Sequence, residues 1–270
     1  MRLCVSNIAW PSGKRAEILP LLKKAGVSAL EIAPTKIWPD IFKVKPEDTM
    51  GFREGLDRIG LGVAGFHALL FGQGHMSIFG PPDIREQTLG YLHKLAQICS
   101  WVKGNSLVFG SPQCRRRGAM SEEESEDMAA VFFRELCLRC EGLGVTFVIE
   151  PLGENETDFI TSAVSGLKLI KMVDHPGFMG HLDAKTLAES GEIKESVFQE
   201  YKPVLRHFHV NDPGLSVLDE SDRIGHAELG RLLRKIEYNG YVSLEQRAAP
   251  HDPVEACLRS VKIMEKYYYA

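Results

Sequence analysis

Short apolar runs alternate with longer amphipathic segments along the whole chain. The short runs are rich in β-branched and aromatic residues and end at Gly, Pro, Asn or Asp, which is typical of strands. They predict strands at 3–10, 29–34, 62–70, 106–111, 145–151, 178–184, 206–212 and 241–247. The longer segments have helical periodicity. They predict helices at 14–25, 46–59, 83–101, 121–142, 162–173, 189–201, 226–238 and 253–267.

Local sequence marks several helix ends. "SEEE" at 121–124 predicts a capping box, and "DIRE" at 83–86 predicts a similar start. Helix stops before strands are expected at Gly60-Leu61-Gly62, at "GLG" 142–144 and at "NG" 239–240.

The order of elements predicts an α/β fold. Eight βα units of about 30 residues follow one another without a linker, and alternating strands and helices imply a parallel sheet. Eight units in a chain of 270 residues fit a single (β/α)₈ TIM barrel over 1–270. The rival is an open doubly-wound sheet, which usually has a Gly-rich turn after its first strand. Here that turn, "WPSGKRAE", contains one Gly, which favours the barrel.

Composition narrows the class of partner. The net charge is −4 and the pI about 6.2, so no basic field is expected to hold nucleic acid. The sequence has no apolar run of about 18 residues and no signal peptide at its start, so we expect a cytoplasmic protein that does not enter a membrane. The six scattered cysteines favour free thiols. Cys137 and Cys140 form one CxxC, for which helix packing and a zinc or redox role are both open.

Four consecutive strands each end with a side chain that can bind a metal. These residues are Glu150, Asp183, His209 and Glu245, near the ends of predicted strands five to eight. Active sites of TIM barrels form at the carboxyl ends of the strands. Three carboxylates crowded there would repel one another unless a cation lay among them. We therefore expect one divalent ion, and the oxygen-rich set favours Mn²⁺, Mg²⁺ or Co²⁺, with Zn²⁺ as an alternative.

The stretch "RHFHVNDP" at 206–213 contains two histidines with strand spacing. Because side chains alternate along a strand, His207 and His209 face the same side, into the barrel. His209 is nearer the carboxyl end and is the expected ligand. His207 is expected one layer deeper as support, as is His181 beneath Asp183.

These segments, "VIEPLGENETDFI", "GHLDAKTL", "HFHVNDPG" and "GYVSLEQR" with "LVFGSP", resemble the xylose isomerase-like TIM-barrel superfamily, in its sugar phosphate isomerase/epimerase branch. The resemblance implies that Glu150, Asp183, His209 and Glu245 bind one metal and that Glu150 and Glu245 act as acid and base. It implies an enzyme of carbohydrate metabolism that removes a proton next to a carbonyl through an enediolate. Epimerase, isomerase and inosose-type dehydratase remain open, as does phosphorylation of the sugar.

Further residues are candidates for substrate binding. Glu156 matches a substrate-contacting position of the ketose 3-epimerase branch, and His67 and Trp10 end strands three and one. Charged groups at the rim are also candidates: Lys185, Arg223, Arg247 and the run Arg115–Arg117. Glu31 is expected to bind a hydroxyl or to pair with a buried Lys or Arg.

Two departures separate the chain from close relatives in that branch. Relatives commonly have a His where Thr186 stands, and an Arg soon after the strand-seven His, where this chain reads "GLSVL". An endonuclease IV-like repair enzyme is disfavoured, because that chemistry uses three zinc ions and further histidines, and strand four here ends with Phe109. A non-catalytic sugar-binding barrel is the other alternative. The apolar "YYYA" tail leaves a homodimer open.

Overall fold

Eight parallel strands, paired in chain order, form a closed barrel in which β8 pairs with β1. The structure, a computed structural model, describes residues 1–269. The strands are β1 Arg2–Ser6, β2 Ala29–Ile32, β3 Gly62–Phe66, β4 Ser106–Phe109, β5 Thr146–Ile149, β6 Phe178–Asp183, β7 Leu205–Val210 and β8 Tyr241–Leu244. The predicted (β/α)₈ barrel is confirmed. None of the helices within residues 1–269 is both long and apolar enough to cross a bilayer.

Nine α-helices connect the strands within the described residues. They are α1 Arg15–Lys24, α2 Pro46–Ile59, α3 Pro82–Trp101, α4 Glu122–Arg139, α5 Ala163–Val173, α6 Ala184–Glu189, α7 Glu195–Tyr201, α8 His226–Lys235 and α9 Pro253–Met264. The single helix predicted at 189–201 was wrong, because two short helices occupy this part of the chain. Gly191 follows α6 with φ +65°, a conformation that ends a helix.

The structure confirms two of the predicted helix ends and differs from a third. Ser121 and Glu124 form the expected capping box, with the Ser121 Oγ accepting from Glu124 N at 3.2 Å. Gly60 ends α2 in the left-handed conformation, as expected. The helix begins within one residue of the predicted start, but the cap expected at "DIRE" is absent, since α3 begins at Pro82 and Pro81 provides no side-chain cap. The fixed φ of proline suits a first helical position, so this helix starts without a polar cap.

Buried aromatic rings fill the space between the barrel and its outer helices. Phe133 of α4 packs against Phe109 and Phe178, with ring centroids 5.0 and 4.6 Å apart. Full burial of one such side chain contributes about 1.5–3 kcal/mol. All six cysteines are free and buried. Burial raises the pKa of Cys137 and of Cys140 to about 12, which keeps both thiols protonated and favours the packing interpretation of this CxxC.

The carboxyl-terminal "YYYA" segment is only partly exposed. Tyr268 is buried, and its hydroxyl lies 2.6 Å from Nδ1 of His226. Tyr269 is 62% exposed, and Ala270 lies outside the described residues. The expected exposed apolar tail is therefore reduced to one tyrosine, and it gives little support to a homodimer.

Candidate metal centre

The four predicted donors meet at the carboxyl end of the barrel. Glu150 directly follows β5, Asp183 ends β6, His209 lies in β7 and Glu245 directly follows β8. One ligand atom from each of the four lies within 4.8 Å of the others. The register of β6 and β7 pairs Asp183 with His209 and, one layer below, His181 with His207. On each of these two strands, the residue nearer the carboxyl end lies at the rim and the residue two positions earlier lies beneath it, as the alternation predicted.

His209 lies at the centre of this cluster. Its Nδ1 is 3.0 Å from Oε1 of Glu150 and 3.3 Å from Oε2 of Glu245. Oδ2 of Asp183 is 4.0 Å from the same nitrogen. The side chain of Glu245 is the most exposed of the four, at 16%. The cluster is therefore buried on three sides and reaches solvent beside Glu245.

Burial and mutual repulsion shift the titration of the carboxyl groups. Burial and the charge of Glu150 raise the pKa of Asp183 to about 7. Burial also acts to raise the pKa of Glu245, but His209 and His67 outweigh it and hold that pKa well below its usual range. Burial lowers the pKa of His209, yet the surrounding carboxylates leave it well above the ordinary value. A bound cation would offset the repulsion between Asp183 and the neighbouring carboxylates.

The space around Glu150 also fits a metal ligand. Gly110 follows β4, and a Cβ at this position would lie 2.3 Å from Oε2 of Glu150. The missing side chain therefore leaves room for the carboxylate. Three carboxylates and one imidazole, with no thiolate among them, suit a divalent ion that prefers oxygen ligands.

Asn211 connects two of the carboxylates, a role the sequence did not reveal. Its Nδ2 donates to Oδ2 of Asp183 at 2.6 Å and lies 3.2 Å from Oε2 of Glu245. Its Oδ1 accepts from the backbone N of Lys185 at 3.1 Å. The amide therefore holds the two acidic side chains at a fixed separation. Only the cross-strand geometry identifies it, since Asn next to a strand end is a common turn residue.

A second layer of polar groups lies beneath the cluster. Glu31 of β2 is fully buried and accepts hydrogen bonds from Ser243 Oγ at 2.7 Å and from Nε2 of His209 at 3.1 Å. Nε2 of His207 is also 3.1 Å from Glu31, and the His181 ring centroid is 4.2 Å from that of His209. The expected Lys or Arg partner of Glu31 was wrong, because histidines and a serine surround it. Its carboxylate faces Nε2 of His209, on the far side of that ring from Glu150, and this position disfavours contact with a substrate hydroxyl.

Three of the predicted substrate-binding residues lie beside the cluster or at its rim. Nδ1 of His67 is 3.2 Å from Oε1 of Glu245, and its Nε2 is 2.6 Å from Ser6 Oγ. Lys185 Nζ donates to Oε2 of Glu156 at 2.8 Å. The ion pair between Lys185 and Glu156 was not predicted from the sequence.

The other predicted substrate-binding residues lie elsewhere. Trp10 is buried and lines a lateral cavity of about 170 Å³ beside β1 and β2. Arg223 pairs with Asp219 on the exposed loop after β7. Arg247 is exposed, and its backbone N donates to Leu215 O at 2.8 Å. The structure thus groups none of these three with the carboxylate cluster.

Arg115 differs most from the expectation for its arginine run. Its side chain is fully buried, and burial lowers its pKa to about 10. The guanidinium donates to the backbone carbonyl of Glu150 at 2.7 Å and to that of Ile160 at 3.2 Å. It therefore fastens the loop after β5 to the end of that strand. The expected substrate contact does not fit this burial.

The comparison with known families agrees with this architecture. A family model described as "Xylose isomerase-like TIM barrel" matches residues 19–267. The chain belongs to this family. Within it, a D-psicose 3-epimerase from Ruminiclostridium cellulolyticum is 30% identical over 112 residues. That alignment covers 42% of this chain and 38% of the epimerase, so it spans less than half of the relative's length.

Solved structures of sugar epimerases share the whole fold of this family member. A D-psicose 3-epimerase with D-tagatose, from Clostridium cellulolyticum H10, has a TM-score of 0.82 at 17% identity and covers 99% of both chains. A 3-keto-D-glucoside 4-epimerase from E. coli has a TM-score of 0.80 at 18% identity, over 98% of this chain and 99% of that one. A probable 3-DHS dehydratase from Bacillus anthracis has a TM-score of 0.75 at 18% identity, over 98% of both. At these identities the likeness is one of fold.

Proposed function

We propose that the protein is a divalent-metal-dependent epimerase or isomerase of keto-sugars or their phosphates. The observation that carries the proposal is the convergence of four donor side chains at the carboxyl ends of β5 to β8. This is the end of the barrel at which TIM-barrel enzymes act. Family membership and the 30% identity to a D-psicose 3-epimerase favour a sugar substrate.

Glu150, Asp183, His209 and Glu245 would hold the ion in this proposal. Mn²⁺, Mg²⁺ and Co²⁺ suit the donor set, and Zn²⁺ is an alternative. A bound divalent ion would polarise the substrate carbonyl and stabilise the negative charge that develops on its oxygen. The chain itself supplies the proton transfers.

Glu150 and Glu245 are the proposed acid and base. Each has a carboxylate oxygen within 3.3 Å of Nδ1 of His209, so the two lie on either side of one small space. One carboxylate takes the proton from the carbon next to the carbonyl, and the other returns a proton. Return to the opposite face of the same carbon gives an epimer, and return to the neighbouring carbon gives an isomer.

Residues near this space would position the sugar. We propose that His67, Glu156 and Lys185 contact substrate hydroxyls or an anionic group, because His67 touches Glu245 and the other two form an ion pair at the rim. Trp10, Arg223 and Arg247 remain predictions from the sequence, and their positions in the structure add no support.

Elemental analysis of the purified protein tests the metal site. We expect about one divalent ion per chain, lost from Glu150→Gln and from Glu245→Gln. Glu156→Gln is the matched control, since its carboxylate binds Lys185 outside the donor set and its removal should leave the metal in place. Full metal occupancy in both donor variants would refute the ligand assignment.

Isotope exchange tests the reaction. Metal-loaded protein incubated with keto-sugars, inososes and sugar phosphates in D₂O should introduce deuterium next to the carbonyl. A product lighter by one water would instead assign the dehydratase alternative. No turnover and no exchange over the whole panel would contradict the enzyme and favour a sugar-binding barrel.

A further inference from the structure

Glu31 lies on the opposite side of the His209 ring from the proposed metal site. The ring directs Nδ1 toward Glu150 and Glu245 and directs Nε2 toward both carboxylate oxygens of Glu31, each at 3.1 Å. Glu31 is fully buried and belongs to β2, across the barrel from β7. The two nitrogens of one imidazole therefore face two separate groups of carboxylates.

A carboxylate only accepts hydrogen bonds, so in the metal-free protein both nitrogens of His209 carry a hydrogen, and a cation bound beside Glu150 and Glu245 would replace the one on Nδ1. We propose that Glu31 is a positioning residue that keeps the hydrogen of His209 on Nε2 and leaves the lone pair of Nδ1 for a divalent cation. The inference rests on the proposed metal site, and it assigns a role to a residue outside the donor set. Outer carboxylates that fix the tautomer of a ligating histidine raise its basicity and hold its orientation.

The surroundings of Glu31 hold it in place for this task. Ser243 of β8 donates to its Oε2 at 2.7 Å. His207 adds its Nε2 at 3.1 Å from Oε1, beneath His209 on the same strand. Side chains from two strands, β7 and β8, therefore hold the carboxylate, and it cannot turn away from His209 without leaving buried polar groups unpaired.

Direct ligation by Glu31 is the competing interpretation. One atom each from Glu31, His67 and His209 also lie within 4.8 Å of one another. However, this arrangement would need His209 to bind a second ion through Nε2, which lies within hydrogen-bond distance of both carboxylate oxygens of Glu31. The positioning role needs only the hydrogen bonds that the structure contains.

Metal affinity and the protonation pattern of His209 test the proposal together. Metal-free protein is titrated with Mn²⁺ by calorimetry, and histidine-labelled protein loaded with diamagnetic Zn²⁺ is examined by long-range ¹H–¹⁵N NMR. In Glu31→Gln we expect Mn²⁺ affinity to fall roughly 10- to 100-fold, and the ¹⁵N shifts to show loss of the single Nε2–H form. Ser243→Ala keeps the carboxylate and should weaken Mn²⁺ binding less.

Glu192→Gln is the matched control. Glu192 is buried, but its carboxylate accepts from the backbone N of Ala163 at 2.8 Å, outside the barrel interior. This variant should lose stability without losing Mn²⁺ affinity. The comparison separates a general cost of removing a buried acid from an effect on His209, and Ser243→Ala preserves the test if Glu31→Gln fails to fold.

The outcomes distinguish this inference from the proposed function. Wild-type protein that binds no divalent ion would overturn both. Wild-type protein that binds one ion, with Mn²⁺ affinity and His209 shifts unchanged in Glu31→Gln, would overturn only the role of Glu31. Two ions per wild-type chain, falling to one in Glu31→Gln, would also overturn it and make Glu31 a ligand.

Discussion

The raised pKa of Asp183 makes a prediction about Asp183→Asn in the metal-free protein. As the pH rises, this variant should become more stable relative to wild type. Burial and the neighbouring Glu150 raise this pKa from 3.8 to about 7 in the folded state. Between these two values the folded state therefore binds more protons than the unfolded state. The free energy of unfolding must fall as the pH rises through this window and level off above it.

The magnitude follows from the shift. One pKa unit corresponds to about 1.4 kcal/mol, so the full shift costs the folded state about 4 kcal/mol at alkaline pH. From about pH 5.5 to about pH 7.5 the wild-type protein should lose about 2 kcal/mol through this group. Asn at position 183 does not titrate. The free energy of unfolding of Asp183→Asn, minus that of wild type, should therefore rise by about 2 kcal/mol over the same interval.

Urea denaturation with a chelator present, at both pH values, measures this difference. Comparing two pH values cancels the pH-independent loss of hydrogen bonds from Asn211 and from the Thr186 backbone. Asp219→Asn is the control. The pKa of Asp219 is lowered to about 2, chiefly by its hydrogen bond from Ser221, so its variant should show no change between these pH values. A difference for Asp183→Asn that stays flat or falls with pH would refute the reasoning.

Saturating Mn²⁺ should stabilise the wild-type protein more than it stabilises Asp183→Asn. A ligand that binds only the folded state stabilises it by about 2.7 kcal/mol at a hundredfold excess over its Kd. Wild-type protein should gain this increment, whereas Asp183→Asn has lost one oxygen donor and should gain less. The ionised Asp183 carboxylate would then destabilise the metal-free protein and help to stabilise the metal-bound protein.

Two further substitutions test features near the site. Gly110→Ala places a Cβ 2.3 Å from Oε2 of Glu150 and should lower Mn²⁺ affinity roughly tenfold or more by calorimetry, whereas Gly90→Ala, on an open part of α3, should leave it unchanged. Equal affinities in the two variants would contradict the steric reasoning. Arg115→Met removes the donor for two buried carbonyls and should lower the free energy of unfolding by about 2–3 kcal/mol in urea; a loss below about 0.5 kcal/mol would show that the clamp is dispensable.

The barrel and the convergence of the four proposed metal ligands were predictable because they depend on local pattern and one topological rule. Strand periodicity fixes which side chains face inward, and parallel strands bring their carboxyl ends to one rim. These two constraints were enough to select His209 over His207 and to place it beside Glu150, Asp183 and Glu245 before any distance was known.

The polar groups around the donors depend on distances that local pattern does not contain. Glu31 and His209 are 178 positions apart, and only closure of the barrel brings them together. From the sequence, Asn211 is typical of a turn residue. Its contacts with Asp183 and Glu245 are known only from the structure. The requirement for glycine at position 110 becomes clear only from the distance between a Cβ at this position and the carboxylate of Glu150.

Arg115 and the sixth helical segment show two other limits. A run of three arginines is normally solvated, and burial of the first one follows from how the loop after β5 folds over it. The amphipathic pattern across 189–201 continues through Gly191, so periodicity alone did not reveal the break. Both errors arise where tertiary structure overrides a local preference.

The clamp formed by Arg115 divides the loop after β5 into two parts with different freedom to change. One guanidinium holds the carbonyl of the donor Glu150 and that of Ile160, so the two ends of the loop share an anchor. Between them, Glu154 and Asn155 are exposed. Substitutions at this tip would change the shape of the barrel opening, while Arg115 holds the backbone of Glu150 in place. In the proposed enzyme, substitutions at this tip would change the substrate preference without moving the proposed ligand Glu150.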